Sequence, residues 1–158
     1  MTAAITSREN ERIKYTAKLL GKRFVDCDDE ILRIEGRSSG EIIQQEGEAA
    51  FRRIESRVIA EISKQGGQLI ATGGGAVTRP ENMQRLRQNG VILFIDRELS
   101  LLATAGRPLS SSFEALRQRY IERYPLYNRY CDLKLDNDDT IETAAKRVQE
   151  AFYAYFDS

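Results

Sequence analysis

Apolar runs too short for helices alternate along this chain with stretches whose apolar residues recur at helical spacing. Phe24 and Val25 before Asp26 read as the end of one strand. Gln68 to Thr72 (QLIAT) reads as a second, Val91 to Asp96 (VILFID) as a third, and Leu133 to Asp136 (LKLD) as a weaker fourth. Phe51, Ile54, Val58 and Ile62 place one apolar stripe on a helix from Glu48 to Lys64, which Gly66-Gly67 ends. Pro80 suits a first helical turn, and Gly90 closes that segment. Ser111-x-x-Glu114 resembles a capping box for a helix running toward Arg123, which Pro125 is expected to break. Asp139-x-x-Glu142 opens a last helix in the same way. Its stripe of Ile141, Ala145, Val148, Phe152 and Tyr155 is expected to pack into the core. Strands alternating with helices predict an α/β protein, a parallel sheet covered on both faces, with 1–158 as a single domain. In such sheets ligands bind beyond the carboxyl ends of the strands.

Composition narrows the chemistry. The chain of 158 residues suits one domain with a real core. Lysine plus arginine balances aspartate plus glutamate at 24 each, which argues against a general nucleic-acid or anionic-membrane binder. No apolar run approaches the roughly 20 residues of a membrane span, and the N-terminus is charged where a secretion signal is apolar. Cys27 and Cys131 form neither a disulfide framework nor a zinc spacing. A cytoplasmic monomer is the simplest expectation. The chain has no histidine, which removes Ser-His-Asp and Cys-His mechanisms and the usual zinc sites. Carboxylates, arginines, lysines, backbone amides or a hard cation must carry any reaction.

Five features at the strand ends can carry such chemistry. Asp26 and Asp28 flank Cys27; two apart on a strand, they would face one pocket and hold a metal ion or orient a hydroxyl. The alternative is a solvated acidic loop, since Asp29 and Glu30 follow. Arg52 lies on the flank of the Glu48 helix, placed to clamp a carboxylate or simply to form a surface ion pair. Gly73, Gly74 and Gly75 directly follow QLIAT, where three glycines are costly unless the backbone turns sharply or something approaches it closely. Arg107, among glycine and serine, suits a segment that closes over phosphates, or an ordinary polar loop. Arg123 precedes Pro125, where the dipole of a helix end would favour a cation regardless of function.

Together these strings resemble the shikimate kinase family. They are FVDCDDEI (24–31), GEAAFRRIES (47–56), ATGGGAV (71–77), GRPLS (106–110) and RYPLY (123–127), in the family's order and at compatible spacing from about Ala17 onward. The resemblance implies a three-layer P-loop kinase fold with a five-stranded parallel sheet. It implies transfer of the ATP γ-phosphate to the 3-hydroxyl of shikimate in aromatic amino-acid biosynthesis, with Mg2+. By the same resemblance Asp28 meets the substrate hydroxyls and Asp26 lies near magnesium. Arg52 and Arg123 grip the shikimate carboxylate, Gly73 to Gly75 line the substrate, and Arg107 is the lid arginine that meets ATP. The paired arginines and RYPLY favour shikimate over nucleosides or gluconate.

One part of that pattern is absent. The family's first strand leads into a loop G-x-x-x-x-G-K-[ST], whose amides and lysine cradle phosphates and whose hydroxyl binds magnesium. Here no glycine precedes Gly21, and residues 1–16 form an atypical segment. Counting back from Phe24 puts the first loop glycine at Ala3, the lysine at Glu9 and the hydroxyl at Asn10. The central strand is therefore expected to be absent or substituted, with residues 2–6 (TAAIT) as the substitute and Ser7 capping the next helix. The expectation is a shikimate kinase by family with impaired transfer. The alternatives are a non-catalytic shikimate-binding chain and a chimeric or truncated remnant.

Overall fold

The computed structural model describes residues 2–6, 10–96, 113–136 and 140–157. Five parallel strands form the sheet: β1 (Thr2–Thr6), β2 (Arg23–Asp26), β3 (Gln68–Thr72), β4 (Gly90–Asp96) and β5 (Leu133–Asp136), in the order β2-β3-β1-β4-β5. The TAAIT segment fills the central slot. Ala3 pairs with Leu69 on one side and Val91 on the other, and Thr6 is level with both Thr72 and Phe94. The slot needs two rows of backbone hydrogen bonds more than it needs bulk. Each unpaired buried group there would cost about 1–3 kcal/mol.

The pleat divides the core into two layers, because neighbouring residues on a strand face opposite sides. Ile70 and Ile92 join Val25, Ile31, Ile42, Phe51, Val58, Ile59, Met83 and Leu86 on one face. Four helices cover that side: α2 (Cys27–Glu35), α3 (Ser39–Glu46), α4 (Glu48–Ile62) and α5 (Pro80–Gln88). Leu69, Ala71, Val91 and Leu93 face the other way, onto Ile13, Ala17, Val148 and Phe152. These come from α1 (Asn10–Leu19) and the last helix, here α7 (Ile141–Asp157). Residues Leu69, Ile70, Ile92 and Leu93 are almost wholly inaccessible, each worth about 1.5–3 kcal/mol of transfer from water. No helix of the described residues is long and apolar enough to cross a membrane.

Three expectations need correction. Pro125 lies inside α6 (Phe113–Tyr130) and does not end it. The ring removes one backbone hydrogen bond, but Tyr124 and Tyr127 on either side both pack on Phe94, which holds the helix together across the gap. The α7 stripe ends at Phe152, and Tyr155 is exposed. Gly90 is the first residue of β4, not a helix stop. The proposed caps at Ser7, Ser111 and Asp139 lie outside the described residues, as does Arg107.

Candidate functional site

β1 and β3 end level at Thr6 and Thr72, beside Phe94 of β4, and Gly73 to Gly75 directly follow β3. None of the three glycines has a positive φ, so a left-handed backbone is not their reason. Close approach is. A Cβ on Gly75 would collide with the Arg52 guanidinium. One on Gly74 would lie 2.9 Å from the Tyr127 hydroxyl and 3.8 Å from Arg123 Nη1, and one on Gly73 3.4 Å from Glu55 Oε1. The bare turn thus draws two arginines, one carboxylate and one phenol around itself.

Arg52 and Glu55 come from one face of α4. Arg52 Nη1 donates to Glu55 Oε2 at 2.7 Å, and its Nη2 donates to Glu48 Oε1 at 3.2 Å. Glu55 is almost fully buried, at 1% exposure, while the Arg52 side chain keeps 16%. The guanidinium therefore has a fixed inner partner and a face left toward solvent. Burial alone would lower the Arg52 pKa; the Glu55 and Glu48 carboxylates outweigh it and raise it, so the cation persists. Burial pushes the Glu55 carboxyl above its ordinary 4.5, opposed by Arg52 and Arg123.

A raised carboxyl means that the folded protein binds more protons than the unfolded chain above pH 4.5. The Glu55 contribution to stability is fully present below that pH and is lost as pH rises through the folded value. Urea midpoints of the wild type should therefore fall relative to Glu55→Gln as pH rises from 4.5. A difference that moves the other way would show that the ion pair outweighs burial.

Arg123 reaches the turn from α6. Tyr127, one helical turn further along, donates its hydroxyl to Gly74 O at 2.5 Å, and its ring stacks on Phe94 with centroids 4.5 Å apart. Because α6 continues past Pro125 to Tyr130, Arg123 is inside the helix. The helix-end dipole therefore does not explain it. Among the described residues Arg123 makes no hydrogen bond or ion pair; its charge is felt by Glu55.

Asp26 and Asp28 are not two residues apart on one strand. The strand ends at Asp26, and α2 begins at Cys27. Asp26 Oδ1 caps that helix, accepting from the amides of Asp28 at 2.7 Å and Asp29 at 3.2 Å. Its Oδ2 accepts from Asn10 Nδ2 at 2.5 Å. Burial raises the Asp26 pKa against the pull of the two amides. Asp28 sits in the first turn of α2 and accepts from Ser39 Oγ at 2.8 Å. Its negative charge raises the Glu55 pKa, which places it on the same electrostatic surroundings as the arginine pair.

The fold thus gathers Arg52, Arg123 and Gly73 to Gly75, with Asp28 alongside. Glu55, Tyr127 and Asn10 were not anticipated. Glu55 carried a signal, since an acid at helical spacing between Phe51 and Val58 falls on a buried stripe. Tyr127 stood only as the last residue of RYPLY, and Asn10, counted to the loop's hydroxyl position, gave no sign that it would meet Asp26.

Comparison with known proteins decides the family. A family model described as Shikimate kinase matches residues 13–153. The chain belongs to the shikimate kinase family. It is 39% identical over 136 residues to a shikimate kinase of Thiobacillus denitrificans, covering 78% of this chain and 72% of the relative. It is 34% identical over 148 residues to one of Caldanaerobacter subterraneus subsp. tengcongensis, covering 88% and 86%. A crystallised shikimate kinase from Acinetobacter baumannii in complex with shikimate superposes with TM-score 0.87 at 26% identity, covering 98% of this chain and 93% of that one.

Shikimate kinases are phosphotransferases that use ATP, generally with Mg2+, in aromatic amino-acid biosynthesis. The residues here fit that chemistry unevenly. Between Thr6, the last residue of β1, and Asn10, the first described residue of α1, the sequence reads Ser7-Arg8-Glu9. It holds neither the glycines nor the lysine of the G-x-x-x-x-G-K-[ST] loop. At the cation position a donor already stands on Asp26, and no group of three or more metal-binding carboxylates or thiols occurs among the described residues. These residues do not fit a magnesium ion at Asp26.

Proposed function

We propose that this chain binds shikimate through the arginine and glycine half of a shikimate kinase site and transfers phosphate poorly. The observation that carries the first part is the pair of guanidiniums, Arg52 and Arg123, converging on one glycine turn. Shikimate is a small anion with three hydroxyls. Two guanidiniums answer its carboxylate with charge-assisted hydrogen bonds, and Asp28 accepts from its hydroxyls. Glu55 holds Arg52 in place, so little ordering is left to do when the ligand arrives. Tyr127 fixes the turn that the ligand would lie against. Arg107 is the arginine proposed to meet ATP.

The second part rests on the sequence that joins β1 to α1, which lacks the loop's glycines and lysine. Phosphoryl transfer is almost entirely positioning and charge neutralisation. A glutamate in place of the phosphate-binding lysine adds negative charge where negative charge must be neutralised. The ligand-binding half does not depend on that connection, because its residues come from α2, α4, β3 and α6.

Titration calorimetry with shikimate checks the assignment. Arg123→Ala is expected to weaken binding by about 1.5–3 kcal/mol, the range for hydrogen bonds to charged groups, with the thermal midpoint little changed. An unaltered affinity would show that Arg123 does not hold the ligand.

A further inference from the structure

The contact between Asn10 and Asp26 departs from the chemistry expected where α1 meets β2. In a P-loop the first turn of the following helix carries a serine or threonine whose hydroxyl binds magnesium. Here that position is Asn10, and its carboxamide points at Asp26 Oδ2 from 2.5 Å. An ionised carboxylate only accepts hydrogen bonds, so Nδ2 is the Asn10 atom that can face it. The other oxygen, Oδ1, is held by the two backbone amides that start α2. Both oxygens of this buried carboxylate therefore have donors, and Asp26 itself is only 7% exposed.

A cation on Oδ2 would have to break that hydrogen bond and turn the Asn10 amide over so that its Oδ1, not its Nδ2, faced the charge. The bond also supplies the mechanical link that a bridging ion would provide. It joins the start of α1, on one face of the sheet, to the N-cap of α2, on the other.

We infer that the Asn10 carboxamide takes the coordination position on Asp26, so that this chain holds no divalent cation there. The inference rests on the family assignment and not on shikimate binding, so the test uses the metal alone.

Mn2+ is titrated into the full-length protein and followed by electron paramagnetic resonance. In the wild-type background, Asp26→Asn is expected to leave Mn2+ binding unchanged. Asn10→Asp replaces the donor with a second carboxylate and is expected to create a Mn2+ site at least about tenfold tighter than any in the wild type, a difference of about 1.4 kcal/mol. Adding Asp26→Asn to that variant should abolish the gain. Two carboxylates so close will repel, so Asn10→Ala, which only frees Oδ2, serves as the second variant. Its thermal midpoint should rise on adding Mn2+, whereas that of the wild type should not. A roughly tenfold loss of Mn2+ affinity in Asp26→Asn alone, or no gain in either Asn10 variant, would overturn the inference.

Discussion

Purified protein given shikimate, ATP and Mg2+ is expected to form product at least about 100- to 1,000-fold more slowly than the roughly 1–100 s⁻¹ typical of kinases. The size of the effect follows from what the loop does. Removing one preorganised donor from a transition-state charge costs about 100- to 1,000-fold in rate. A P-loop supplies several backbone amides and a lysine, and Ser7, Arg8 and Glu9 contain neither the glycines nor the lysine. A coupled assay of ADP release gives the rate directly. Turnover within the ordinary kinase range would mean that some other group cradles the phosphates, and the impairment would have to be abandoned.

The second large effect is expected at Gly75. A methyl group there meets the guanidinium of Arg52, which is already fixed by Glu55 at 2.7 Å. Either the arginine leaves its buried partner or the turn moves. Breaking a buried ion pair by loss of one partner costs about 3–5 kcal/mol, so Gly75→Ala should lower stability by about 3 kcal/mol and weaken shikimate binding, as Arg52→Ala is expected to. The cause can be isolated with a double-mutant cycle. In an Arg52→Ala background the same glycine substitution should cost less than about 1 kcal/mol, since nothing remains to collide with. Equal costs in both backgrounds would place the strain in the backbone and not at Arg52.

Much of this was legible from residue order. β3 and β4 announced themselves because a buried parallel strand is apolar throughout, as QLIAT and VILFID nearly are. Phe51, Val58 and Ile62 carried the inner face of α4 at helical spacing. The candidate residues Arg52 and Arg123, which the fold brings to one glycine turn, were visible through the strings around them. Other parts depended on contacts distant in sequence. TAAIT has little strand signal, and it becomes β1 because β3 and β4 offer a backbone ladder on each side. Pro125 reads locally as a helix end, and only the packing of Tyr124 and Tyr127 on Phe94 overrides that. The glycine triplet correctly signalled close approach, although what approaches is the chain's own Arg52 and Tyr127. Asp26 and Asp28 looked like a strand pair because the boundary between strand and helix falls between them, and a one-residue shift in that boundary changes which way each side chain points.

The central claim is that the shikimate half of the site stands without a phosphate cradle or a cation. Calorimetric titration of shikimate into the wild-type protein, with EDTA present and no nucleotide, tests it most directly. The account predicts saturable binding at one site per chain, with an affinity unchanged when Mg2+ and ATP are added. A folded protein that gives no binding heat under those conditions, or that binds shikimate only once ATP and Mg2+ are supplied, would contradict it.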